Sequence, residues 1–198
     1  MSPYNEGDPE HLGDIMSIPL QGGARRVIVR NLSFGNLLCA RMPSKLCFLG
    51  EMTGSSERIL SFDPQKGTTQ EFGTFPIVQS LGLSLSPDGS QLAVLPIPGS
   101  TITFMTVRDK STYTVELQGL AKPITIDWTG DGRSVYVVAQ TSNGTDEVVE
   151  VEPSGKSHVV LENDNHTHLW WAIQSPDGRH ALIQEVAGEN NVWVVDNF

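Results

Sequence analysis

The chain has 198 residues with 38% apolar content, enough to bury a core and short enough that a single domain over 1–198 is the expectation. Thirteen basic residues against 23 acidic ones give a net charge of -10 with no Lys/Arg-rich stripe. That excludes nucleic acid as a partner, because binding it rests on neutralised phosphates. No stretch approaches the ~18 consecutive apolar residues of a membrane span, so no membrane insertion of this segment is expected.

In chain order, "MSPYNEGDPEHLGD" lacks the basic and apolar regions of a signal peptide. The expected compartment is the periplasm if the chain is part of an exported parent, and the cytoplasm if it is complete. "GDIMSIPLQGGARRVIVRN" reads as an outer hairpin turning at Gln21-Gly22-Gly23, half a structural unit over residues 14–31. "LLCARMPSKLCFLG" opens the next unit, 35–73, with Pro43-Ser44-Lys45 at its first turn. The unit over 79–118 supplies "SLGLSLS", "SQLAVLP", "TITFMTV" and "TYTVEL", all rich in β-branched and aliphatic residues and cut by turn formers. The unit over 122–162 repeats the pattern with "ITIDW", "RSVYVVAQ", "DEVVEVE" and "SHVVL". The last, 168–198, supplies "LWWAIQ", "RHALIQEV" and "NVWVVDNF" and lacks a fourth strand.

Asp88-Gly89, Asp131-Gly132 and Asp177-Gly178 recur at intervals of 43 and 46 residues, a spacing that marks an array of supersecondary units. No segment carries sustained helical periodicity, so helix is expected to be nearly absent. Four short antiparallel strands every ~40 to 45 residues predict an all-β propeller of four-stranded antiparallel blades, about four to five of them, as a partial or small ring. The innermost strand of each blade is expected to be the most apolar. The Asp of each S/T-x-D-G segment is explained by turn chemistry: Pro suits the second position, Asp bonds the following backbone, and Gly accepts positive φ.

The S-P-D-G turns, "CARMPSKLCFLGE", "FDPQKGTTQEF" and the ending "SPDGRHALIQ…NVWVVDNF" together resemble the TolB-like, WD-repeat-like propeller modules of bacteria. The likeness covers roughly residues 14–198 and is strongest to modules at the C-terminal end of bacterial Ser/Thr-kinase-like and winged-helix regulatory proteins. It implies a non-catalytic sensing or protein-interaction domain attached to an effector. The chain departs from that pattern in carrying no kinase motif and no DNA-binding helix, and in being shorter than the roughly six to eight blades implied.

The first-to-second strand turns lie on the face opposite the one where propellers bind ligands. The binding face is expected to gather residues 53–57, 96–100, 142–147 and 187–191, with the connections near 73–79, 119–123 and 162–168. Its candidate residues are Glu57, Asp146, Glu147, Asp164, His166, His168, Glu189 and Asn190. Within "ENDNHTHLWW", Glu162, Asp164, His166 and His168 offer oxygen and nitrogen donors to a divalent cation, although their spacing matches no established metal signature. A solvated connection is the alternative, and no cofactor is the expectation. Trp170 and Trp171 should face opposite sides of their sheet with at least one in the core, and Trp128 and Trp193 should be core residues. Cys39 and Cys47 fall opposite each other on adjacent strands, which suits a cross-strand disulfide or a pair of buried thiols equally.

"GLSLS" at 82–86 lacks the second Gly of a nucleophile elbow and sits on a strand, and neither a P-loop nor a zincin motif occurs. No catalytic residue is assigned. The expected function is binding of a protein, peptide or other ligand, as part of a regulatory or envelope-associated protein; the alternative is a small lactonase-like propeller hydrolase with a metal near the axis. The incomplete blades predict either that the N-terminal hairpin packs onto the last blade or that two chains combine.

Overall fold

The computed structural model describes residues 12–76, 80–163, 167–187 and 189–196, and every regular element among them is a strand. The chain divides into two compact units, residues 1–77 and 78–198.

The first unit holds β1 (Leu12–Ser17), β2 (Arg26–Cys39), β3 (Cys47–Thr53), β4 (Ser56–Phe62) and β5 (Thr69–Pro76), hydrogen-bonded in that order. The break expected between residues 31 and 35 is bridged by β2. Its first half pairs with β1 (Ser17↔Arg26 to Leu12↔Ser33) and its second half with β3 (Phe34↔Glu51 to Cys39↔Cys47). Ile15, Ile28 and Val29 of the hairpin pack on Cys47, Leu49, Leu60 and Phe62 of the blade. Arg26 fastens the hairpin by donating to the carbonyls of Pro64 (3.2 Å) and Gln65 (2.6 Å). The N-terminal hairpin therefore has its described packing on the blade that follows it in sequence.

The second unit contains three sheets. β6 (Ser80–Leu85), β7 (Gln91–Ile97), β8 (Thr101–Thr106) and β9 (Thr112–Glu116) form one; β10 (Leu120–Trp128), β11 (Val135–Thr141), β12 (Asp146–Val151) and β13 (Ser157–Asn163) form the next. β14 (His168–Gln174), β15 (His180–Ala187) and β16 (Glu189–Asp196) form a sheet of three. All pairings are antiparallel between sequence neighbours.

These sheets stack face on face. Ala93, Leu95, Ile102 and Phe104 of one meet Ile126, Trp128, Val135 and Val137 of the next. Tyr136, Val138 and Val148 in turn meet Leu169, Ala172, Ala181 and Ile183. Polar stitches join successive inner strands. The Ser84 hydroxyl donates to Asp127 (2.6 Å), Trp128 Nε1 donates to the Ser84 carbonyl (3.0 Å), and the Thr125 hydroxyl donates to the Trp170 carbonyl (2.9 Å).

In the blade over 122–162 the second strand, β11, is more buried than the first, β10, which the sequence had led us to expect as the most apolar. β10 is a sheet edge, whereas β11 is flanked by β10 and β12 and packs on apolar side chains of the sheets before and after it, so its side chains alternate between two apolar layers. Trp128 is a core residue as expected. Trp170 and Trp171 are not: each is 49% exposed. A register shift between Leu169 and Trp171 breaks the alternation that would have buried one of them. The side chain of Trp193 lies outside the described residues.

The S/T-x-D-G segments are tight turns in detail. The Gly89 N–H donates to the Ser86 carbonyl (2.8 Å) with Gly89 at φ 78°, and Asp88 Oδ1 accepts from the Ser86 hydroxyl (2.6 Å) and the Ser90 N–H (2.9 Å). Asp131 accepts from the Thr129 hydroxyl and Arg133 N–H, and Asp177 from the Ser175 hydroxyl and Arg179 N–H, in the same frame. The Ser86 and Ser90 hydrogen bonds hold the Asp88 carboxyl below its ordinary range, and those of Ser175 and Arg179 do the same for Asp177. At Asp131 burial opposes ionisation, and hydrogen bonds from Arg133 and Thr129 outweigh it.

Candidate functional site

The polar loops that the sequence pointed to separate into latches and presented groups. Glu57 is a latch: only 2% exposed, it accepts from the Asn36 backbone N–H (3.1 Å) and side-chain amide (2.8 and 3.1 Å). The space it fills exists because two strand positions are glycine. A Cβ at Gly35 would lie 2.5 Å from Glu57 Oε1, and one at Gly50 only 1.7 Å from it. Its expected place on a binding face is thereby corrected, since its carboxylate is spent on joining β4 to β2.

Asp146, 1% exposed, is a second latch, this time between sheets. Its Oδ2 accepts from the Leu169 N–H (2.9 Å) and lies 3.1 Å from His168 Nδ1, while Oδ1 accepts from Gln140 Nε2 (3.2 Å). A buried carboxylate is tolerated only when its lone pairs are met, and these three donors meet them. One consequence reaches the surface. The His168 side chain is held at Nδ1 while remaining 66% exposed.

Beside it, Asn163 donates to the Thr167 hydroxyl (2.8 Å) and carbonyl (3.2 Å), and the same hydroxyl bonds Glu185. Glu147 and Glu162 stand directly opposite each other on β12 and β13. Burial, and then repulsion from Glu162, raises the Glu147 carboxyl above its ordinary range. Among the described residues no cation pairs with either. Glu147 also lines a groove of about 270 Å³ with Leu120, Thr141, Val149, His158 and Val159.

Of the residues singled out in the sequence, the structure brings together Asp146 with His168 and Glu147 with Glu162. Asp164 and His166 lie outside the described residues, and Glu189 and Asn190 are placed only by backbone, as the first residues of β16. Among the described residues no three His, Cys, Asp or Glu side chains are arranged to hold a metal ion. Cys39 and Cys47 face each other in register with Cα atoms 4.1 Å apart and are joined as a disulfide. Asn36, Gln140, Asn163, Thr167 and Glu185 were not foreseen. Asn36 and Glu185 meet partners 21 and 18 residues away, whereas Gln140 and Asn163 bond across nearby loops that carry no motif, and the one available signal was a glycine inside each of two strands, which marks a close approach.

No family model matches the chain, and no curated protein matches it by sequence. Among solved structures it is similar to TolB from Acinetobacter baumannii, with 14% identity and a TM-score of 0.74 over 92% of this chain and 46% of that one. It is also similar to the Swd1 β-propeller domain of Myceliophteria thermophila, with 13% identity and a TM-score of 0.57 over 85% and 53% of the two chains. A third is an oligogalacturonate lyase in complex with manganese, with 12% identity and a TM-score of 0.64 over 93% and 57%. The chain spans about half the length of these structures. At such identities the likeness is one of fold: the protein is an all-β propeller of antiparallel blades, TolB-like and WD-repeat-like in architecture.

Proposed function

We propose that the chain is a binding module without catalysis of its own, which takes a protein or peptide segment bearing a basic side chain at the Glu147–Glu162 pair. The observation that carries this reading is the pair itself. Two carboxylates set opposite each other without a cation are mutually unfavourable, and a Lys or Arg side chain placed between them relieves the repulsion that, after burial, raises Glu147. The adjoining groove offers Leu120, Val149 and Val159 to the stem of such a side chain, and His168 stands ready as a donor or acceptor on the next sheet. A net charge of -10 favours encounter with basic partners.

The disulfide supports an oxidising compartment, and with it an exported parent protein, over the cytoplasm. Titrating an Arg- and Lys-bearing peptide calorimetrically, with an acidic peptide as control, tests the proposal. Glu147→Gln with Glu162→Gln should abolish binding, while Glu116→Gln with Glu152→Gln, an equal change of charge elsewhere, should leave it intact. Equal losses from both pairs would reduce the effect to net charge and sink the reading.

A second reading rests on Asp146 and His168. A histidine ring oriented by a buried carboxylate suits a general base, as a small propeller hydrolase would need. Activated-ester hydrolysis, with and without divalent cations, that is lost in His168→Ala would favour it over binding alone.

A further inference from the structure

We infer that Cys39 is a reactive site at which a dithiol reductant, of the class that carries out thiol–disulfide exchange, acts on the folded chain and opens the Cys39–Cys47 bond from one side. The site lies wholly within the first unit and owes nothing to the carboxylate pair proposed above as a ligand site.

The two sulfurs of this bond stand in different surroundings. Cys39 ends β2 and is exposed, whereas Cys47 opens β3 at 2% exposure and packs with Leu49, Leu60 and Phe62. In exchange a thiolate attacks one sulfur in line with the breaking bond while the other leaves, and access decides which sulfur is attacked. At Cys39 the approach is from solvent. At Cys47 it has to cross the apolar cluster, where an unpaired thiolate is costly to bury.

Charge favours the same side. The loop joining the two cysteines, "ARMPSKL", carries Arg41 and Lys45 and no acid, in a chain of net charge -10. Lys45 donates to the neutral side chain of Gln65 (3.2 Å), so this bond leaves its charge uncancelled. A thiolate is thus drawn to the loop against the sign of the chain as a whole.

The exchange takes two steps. The first thiolate of the reductant bonds to Cys39 Sγ, the Cys39–Cys47 bond breaks, and Cys47 leaves as a thiolate that takes up a proton. The second thiol of the reductant, deprotonated, then attacks the reductant's own sulfur in the mixed disulfide and releases Cys39 as a thiolate that is protonated in turn. The chain gains two electrons and two protons, and the reductant ends as its disulfide. A dithiol is needed because the freed Cys47 stays beside the mixed disulfide and re-forms the original bond unless a second thiol resolves it first.

Reduction bears on what the loop holds. Its ends are tied by the Ala40 N–H donating to the Leu46 carbonyl (3.0 Å), and Lys45 and Leu46 wall a groove of about 410 Å³ with Phe62, Asp63 and Thr69. Opening the disulfide removes the covalent tie at the base of that loop and loosens one wall of the groove.

Trapping on the full folded chain tests this, using a thioredoxin-type oxidoreductase whose second active-site cysteine is replaced by serine, so that exchange stops at the mixed disulfide. After an acid quench, N-ethylmaleimide marks the cysteine left free, and peptide mass analysis locates both. The trapped reductant should sit on Cys39 at least about ten times as often as on Cys47, and in the urea-unfolded chain that preference should shrink to within about twofold. Lys45→Gln should slow trapping about threefold at low salt and leave the preference for Cys39 unchanged. With the intact dithiol oxidoreductase both cysteines should become free, and the amides of residues 40–46 should then exchange faster with deuterium. No trapped complex from the folded chain, equal occupancy of the two cysteines, or an excess on Cys47 overturns the inference.

Discussion

Replacing Asp146 by Ala should cost far more than its surface position in the sequence suggests. The substitution removes an acceptor that meets the buried Leu169 N–H at 2.9 Å, Gln140 Nε2 at 3.2 Å and His168 Nδ1 at 3.1 Å. Leu169 is itself buried, so its N–H loses its partner in a buried position. An unmet buried donor costs about 1–3 kcal/mol, and losing hydrogen bonds to a charged acceptor adds about as much again. The exposed His168 contact adds little, since its ring regains water. A total of about 3 kcal/mol lowers the folded-to-unfolded ratio roughly 100-fold. With a urea slope of about 2 kcal/mol/M, the unfolding midpoint should fall by about 1.5 M. Asp146→Asn keeps an oxygen for the Leu169 N–H and should recover more than half of the loss. Urea unfolding followed by tryptophan emission reads this directly, because Trp170 and Trp171 follow the affected strand start. A loss under about 1 kcal/mol for Asp146→Ala, or equal losses for Ala and Asn, would show that Asp146 does not hold the two sheets together.

Gly50→Ala should destabilise the first unit by about 2 kcal/mol or more, since the new Cβ falls 1.7 Å from Glu57 Oε1. Adding Glu57→Ala should restore part of that loss, and a double-mutant cycle showing simple additivity would refute the steric account. Glu147→Gln should stabilise the fold by a few tenths of a kcal/mol by relieving the repulsion from Glu162, measured by thermal melting at neutral pH. Asp88 titrates below its ordinary 3.8 in the folded chain, so its stabilising contribution is present above that value and is lost as pH falls through the lowered one. Asp88→Asn should keep the turn and flatten that acid loss, seen as a shallower fall in melting temperature below about pH 4. Alkylation without reductant should leave the mass unchanged, and with reductant it should add two adducts. The reduced form should be less stable by about 2.5 kcal/mol, as expected for a link spanning eight residues.

The fold was legible because its signals are local. Asp88, Asp131 and Asp177 advertise their turns through residues two positions away, and β-branched runs between turns leave little freedom for anything but strands. The site was legible only in part, because loop position does not decide whether a carboxylate faces water. Glu57 and Asp146 look alike in sequence to Glu147, yet the first two turn inward to donors 21 and 23 residues away. Trp170 and Trp171 show the limit of period-two reasoning, since one irregular step at the start of β14 is enough to leave both half-exposed.

β2 binds the first unit together in a way that bears on how it comes apart. A single strand supplies hydrogen bonds to the hairpin with one half and to the blade with the other, and the disulfide anchors its far end to β3. Loosening the hairpin at Arg26 therefore disturbs the register that Phe34 and Leu37 keep with the blade, and the two halves should open as one cooperative segment. In hydrogen exchange, the β2 amides paired to β1 should open with the same free energy as those paired to β3. Chain continuity here does what a separate interface does elsewhere, so an incomplete blade gains the opening free energy of a whole one.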